Sequence, residues 1–121
     1  MEKQPALALI AHDNKKLAMI DWAKSNKEKL KKYKLFATGT TGSLLEKKLG
    51  LKIKKFKSGP LGGDLQIGAA VAEGKIQQII FFMDPLSPHP HDVDVKALLR
   101  VAVLYDVPIA CNRQSATLIL R

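Results

Sequence analysis

The chain alternates between short apolar runs and longer stretches in which apolar residues recur every three or four positions. Residues 7–11, LALIA, are continuously apolar, the pattern of a strand buried on both faces. Residues 14–32 carry Leu17, Ile20, Trp22, Ala23 and Leu30 among lysines, which predicts one amphipathic helix. KLFA at 34–37 reads as a second strand. TGTTG at 38–42 reads as a turn that opens a helix over 43–49, with Gly50 where glycine closes helices. LKIKKFK at 51–57 alternates and predicts a half-exposed edge strand. The loop SGPLGGD at 58–64 follows, then a helix from about 65 to 73, ended by Gly74. Residues 78–83 form the most apolar strand, expected at the centre of a sheet. A loop rich in proline, histidine and aspartate spans 84–94. A helix over 95–105, a strand at 107–110 and a last helical turn or two at 115–120 complete the chain.

Strand and helix in repeated alternation predict the α/β class. The expected architecture is a three-layer α/β/α, Rossmann-like arrangement around a five-stranded, mainly parallel sheet. No repeat or low-complexity linker interrupts it, so the 121 residues are expected to form one domain. In such folds ligands sit outside the carboxyl ends of the strands. The segments after the strands are AHD at 11–13, TGTTG, SGPLGGD, MDPLSPHPHDVD at 83–94 and CNRQSAT at 111–117. Nearly every residue suited to chemistry lies in these segments, while the helices between them supply lysines and aliphatics.

TGTTG offers Thr38, Gly39, Thr40 and Thr41 at the start of a helix, where free N–H groups and the helix dipole favour an anion. It is not a GxxxxGK[ST] loop, so a nucleoside triphosphate is not indicated. Ser58 and Gly59 provide a second donor turn. Lys16, one turn into the first helix, adds a positive charge. Two donor turns and one ammonium fit a phosphate monoester. The acids are Asp13, Asp64, Asp84 and Asp94, with His12, His89 and His91. A metal site in HPHD lacks the usual helical spacing and a second cysteine, and no GxSxG marks a hydrolase. Proton transfer remains: Asp64, in a loop that lets backbone approach a substrate, suits a base, and His91 suits a polariser of a carbonyl.

Net charge changes the picture only locally. The total is +9, but residues 24–57 hold twelve lysines against Glu28 and Glu46, a net of +10, so the rest of the chain is near neutral. The block lacks the interleaved aromatics and arginines that favour nucleic acid, and it reads as solvated helix faces and edges that bias the molecule towards anions. A single cysteine, Cys111, rules out an internal disulfide framework and suits a reducing compartment. The apolar runs are too short for a membrane span, and the first residues read as a strand rather than a leader. A cytoplasmic protein with no membrane or nucleic-acid partner is the expectation.

Five segments together resemble the bacterial methylglyoxal synthase family: ALALIAHD at 6–13, ATGTTG at 37–42, SGPLGGDLQIGA at 58–69, IIFFMDPL at 79–86 and PHDVDVKALLR at 90–100. The resemblance runs from about residue 6 to the last residue, and it implies the methylglyoxal synthase-like variant of the fold. The implied reaction converts dihydroxyacetone phosphate to methylglyoxal and inorganic phosphate through an enediolate. By the same resemblance Asp64 matches the catalytic base and His91 the histidine on the substrate oxygens. His12 and Asp13 match a first-loop pair, and Asp84 and Asp94 match further acids of the pocket. Lys16, Thr38, Gly39, Thr40, Thr41, Ser58 and Gly59 match the phosphate-binding group. The resemblance implies no cofactor and no metal, a homo-hexamer, and inhibition by inorganic phosphate. Met83 stands where some relatives have tryptophan, His89 is an extra histidine, and many relatives continue beyond the position of Arg121. The same fold also serves, by resemblance, as a regulatory domain that binds a phosphorylated ligand; a base and polariser opposite the donor loops distinguish the enzyme.

Overall fold

The computed structural model describes residues 5–57, 62–86 and 95–120, without the side chains of Asp64 and Val95. Five strands, β1 (Ala6–Ala11), β2 (Lys34–Thr38), β3 (Ile53–Phe56), β4 (Gln78–Phe82) and β5 (Ile109–Ala110), form one sheet in the order β3-β2-β1-β4-β5. Every pairing is parallel. The most apolar run, β4, is interior as expected of it, but the middle place belongs to β1.

The connections explain the layers. Helices α1 (Lys16–Ser25) and α2 (Lys27–Leu30) link β1 to β2, and α3 (Gly39–Leu49) links β2 to β3. Helix α4 (Gly63–Ala72) then carries the chain back across to β4, α5 (Val95–Leu104) leads to β5, and α6 (Arg113–Ile119) ends the fold. The side chains of β1 show why its sequence has no polar position. Leu7, Leu9 and Ala11 enter one core with Met19, Trp22, Leu45 and Ala116. Ala6, Ala8 and Ile10 enter a second core with Ile67, Val71, Leu98 and Ala102. The first core lies under α1, α3 and α6, the second under α4 and α5.

Trp22 is the largest anchor of the first core. It is 1% exposed, meets Phe82 edge to face at 5.8 Å, and donates from Nε1 to Thr117 Oγ1 at 3.1 Å. It therefore joins α1 to β4 and α6 at once. Trp22→Ala is expected to lower the unfolding free energy by about 3–5 kcal/mol, measured by urea denaturation, because both apolar contacts and a half-buried hydrogen bond are lost.

The sheet edge also follows from sequence. In β3 Ile53 is buried while Lys54 and Lys55 are exposed, and lysines on an edge strand deter pairing with another chain. The rest of the lysine block lies mainly on the outer faces of the α1–α2 segment and of α3. Lys31 pairs with Glu28 at 3.2 Å and Lys55 with Glu46 at 2.7 Å. The Lys55 hydrogen bond holds the Glu46 carboxyl below its usual range.

Sequence expectations for two further segments are corrected. Residues 14–32 are not one helix: a 3-10 turn, Asp13–Lys15, precedes α1, and the chain breaks at Asn26 before α2. The Asn26 side chain donates to the Trp22 carbonyl at 2.9 Å, a local bond that competes with helix continuation. The second correction bears on the site. TGTTG is not a turn before the helix; α3 begins at Gly39, and Thr38 is its extended N-cap, with φ −70° and ψ 155°.

Candidate active site

The order β3-β2-β1-β4-β5 reverses direction between β1 and β4. In open parallel sheets the crevice outside the carboxyl ends at such a reversal is the binding place. The residues that leave β1 and β4 there are bonded to one another. The His12 N–H donates to the Phe82 carbonyl at 3.1 Å. The Asp84 N–H donates to His12 Nδ1 at 2.9 Å. Nδ1 is thus an acceptor, and in the neutral ring the proton sits on Nε2. The imidazole is 8% exposed and stands edge to face with Phe81 at 5.0 Å. The backbone N–H of Asp84 thus selects the tautomer that presents an N–H donor at Nε2.

Asp84 organises its own loop. Its Oδ2 accepts from Asn14 Nδ2 at 2.9 Å, and its Oδ1 accepts from the Leu86 N–H at 3.1 Å. Both carboxylate oxygens thus serve the shape of the crevice. Asn14, which sequence reading did not single out, ties the turn after β1 to the end of β4. Its only sequence signal is an amide directly after AHD.

Asp13 and Lys16 form a second pair. The Lys16 ammonium donates to Asp13 Oδ1 at 2.9 Å and to the Ala11 carbonyl at 3.2 Å. Its side chain is 17% exposed, while that of Asp13 is 80% exposed. The lysine is therefore held against the carboxyl end of β1 rather than spread in solvent.

The corrected start of α3 strengthens the anion reading. Gly39, Thr40 and Thr41 occupy its first turn, where N–H groups have no carbonyl partner within the helix. Thr38 makes no side-chain cap, so its hydroxyl is not spent on those groups. Thr38 and Thr41 are buried, at 5% and 2% exposure. Among the described residues the Thr41 hydroxyl has no hydrogen-bond partner, which is costly unless a ligand supplies one. Gly42 is glycine for space: a Cβ there would meet Lys55 Cγ at 2.5 Å. Its absence lets β3 lie close to the start of α3.

On the other side of the sheet, α4 starts after Gly62, whose φ of 98° is left-handed and strained for any other residue. Asp64 is the second residue of α4, so helix geometry, not a floppy loop, sets its backbone. Ser58, Gly59, His91 and Asp94 lie outside the described residues, as does His89. Among the described residues no group of three or more His, Cys, Asp or Glu stands where it could hold a metal ion. None of the described helices is long and apolar enough to cross a membrane. Burial pushes the thiol of half-buried Cys111 up, which leaves it a weak nucleophile near neutrality.

Comparison with known proteins places this geometry. Residues 18–111 match the family model of the MGS-like domain. The chain is 54% identical over 117 residues to the methylglyoxal synthase of Pseudoalteromonas atlantica, covering 97% of this chain and 87% of that protein. It is 56% identical over 110 residues to the methylglyoxal synthase of Leptospira interrogans, covering 91% of this chain and 74% of that protein. The crystal structure of methylglyoxal synthase from Elizabethkingia anophelis superposes with a TM-score of 0.94 at 46% identity, over 97% of this chain and 77% of that one. The chain belongs to the methylglyoxal synthase family, with the MGS-like domain over its residues 18–111.

Proposed function

We propose that the chain is a lyase that converts dihydroxyacetone phosphate to methylglyoxal and inorganic phosphate. The carboxylate of Asp64 takes a proton from the hydroxyl-bearing carbon. The C–H electron pair becomes the double bond of an enediolate, whose oxygens accept hydrogen bonds from His91 and from the Nε2–H of His12. That electron density then expels phosphate as the neighbouring C–O bond breaks. The released enol gains a proton on its methylene carbon and becomes the ketoaldehyde, so nothing is oxidised or reduced overall.

The observation that carries this reading is the buried Thr41 hydroxyl, which has no hydrogen-bond partner among the described residues, set in the first turn of a helix that begins at Gly39. Donors arranged in advance for an oxyanion stabilise the departing phosphate without reorganising. Lys16 supplies the charge, and Thr38, Gly39, Thr40, Ser58 and Gly59 complete the phosphate group. Asp13 holds Lys16 in place, Asp84 shapes the crevice, and Asp94 completes the acid side of the pocket. If the C–O bond to phosphate stands out of the enediolate plane, its orbital overlaps the π system and elimination follows; the two donor loops hold that torsion as well as the charge.

The active unit is one domain spanning the chain, cytoplasmic, and assembled as a homo-hexamer. Exposed Leu17, Leu65, Leu86, Val103, Leu104 and Leu118 supply apolar surface for such assembly. Inorganic phosphate, being the product, competes for the donor loops. Thr41→Val, which keeps the shape and removes the hydroxyl, tests the site. It is expected to raise the inhibition constant of phosphate and the KM by about fivefold to tenfold, read from initial rates. Unchanged inhibition in a folded variant would remove Thr41 from the phosphate site.

A further inference from the structure

The segment between β3 and α4 carries Ser58 and Gly59, and both of its ends are tied to one residue, Gln66. The Gln66 side-chain Oε1 accepts from the backbone N–H of Lys57 at 2.7 Å. Its own backbone N–H donates to the Gly62 carbonyl at 3.1 Å. The second bond is the ordinary one of a helix start. The first is required by no helix. Gln66 is exposed, so burial in a core does not account for it. The β2–β3 ladder ends at the pair Thr38↔Phe56; Lys57 is the next residue, and it is there that the glutamine takes over. Asp64 lies two residues before Gln66 on the same helix. One side chain thus fixes the end of the strand that leads into Ser58 against the helix that carries the base.

We propose that Gln66 is a positioning residue for the elimination step, holding the end of β3 at Lys57 at a set distance from the helix that carries Asp64. The proposal rests on the lyase reading above. Proton abstraction depends on where α4 puts Asp64, and α4 stands without this bond. Expulsion of phosphate depends, on that reading, also on Ser58 and Gly59, which follow Lys57 in the chain. Loss of the bond should therefore separate the two steps: the enediolate still forms, but more of it is reprotonated by solvent before phosphate leaves.

The test is to follow dihydroxyacetone phosphate in deuterium oxide, measuring deuterium entering the remaining substrate and phosphate released. Gln66→Met keeps length and helix propensity and removes the acceptor. Its ratio of exchange to release is expected to rise about fivefold, as for one ordinary hydrogen bond, with weaker inhibition by phosphate. Gln66→Glu keeps an acceptor at the same reach and should restore the ratio, while its charge weakens phosphate binding. A Gln66→Met protein with the unmodified ratio, whether its overall rate falls or not, would overturn the proposal. If the unmodified chain released no phosphate at all, the lyase reading would fail and take the proposal with it, so the two failures are told apart.

Discussion

Asp64→Asn is expected to lower turnover of dihydroxyacetone phosphate by at least about 10³-fold, because an amide cannot accept a proton from carbon and general-base catalysis is worth about 10²–10⁴. The substitution is nearly isosteric. Asp64 sits in the first turn of α4, behind Gly62 and Gly63, where a carboxylate gains about 0.3–1 kcal/mol from the helix dipole. The fold therefore loses little. On the proposed reading phosphate is bound by the donor turns and Lys16 rather than by Asp64, so the phosphate affinity of the variant should stay within about threefold of the original, the spread ordinary for one altered contact. Calorimetric titration with phosphate and initial rates measured on the same preparation check both halves. A variant retaining a tenth or more of the activity would place the base elsewhere.

Lys16→Ala carries the second large effect, and it has the opposite signature. The ammonium already spends two of its three N–H donors on Asp13 and Ala11. It is held at the carboxyl end of β1, beside the reversal in strand order. A charged hydrogen bond to phosphate is worth about 1.5–3 kcal/mol. KM and the phosphate inhibition constant should therefore rise together, by about tenfold to a hundredfold, with kcat falling less. Stability should barely change, since the Asp13 side chain is 80% exposed and exposed ion pairs contribute little. Unchanged phosphate inhibition would mean that Lys16 serves Asp13 alone.

Much of this site was legible because its logic is local. Two-sided burial of β1 shows as an unbroken apolar run, and the edge position of β3 shows as alternating lysines. A parallel sheet then assigns function to whatever follows each strand, which brings out His12, Asp13, Asp64 and Asp84 with no knowledge of contacts. TGTTG was misread for a physical reason: glycine and threonine are poor helix formers, and tertiary packing, including the close approach of Lys55 to Gly42, starts α3 there regardless. The break at Asn26 coincides with a side-chain bond to the Trp22 carbonyl, a local contact that leaves no mark on the apolar periodicity. Asn14 and Gln66 were invisible as bridging residues because a bond between positions 14 and 84, or between 66 and a backbone group at 57, has no periodicity to betray it. Ser58, Gly59 and His91 were read from residue chemistry at the strand ends and matched by the family resemblance, whereas the role of Asp94 comes from the resemblance alone.

The most direct measurement mixes the purified chain with dihydroxyacetone phosphate and follows phosphate release and dicarbonyl formation in the same sample. The two products should appear at equal rates, with both traces abolished by Asp64→Asn. Saturable binding of the compound with neither product formed would contradict the account and leave a domain whose donor loops only hold a ligand.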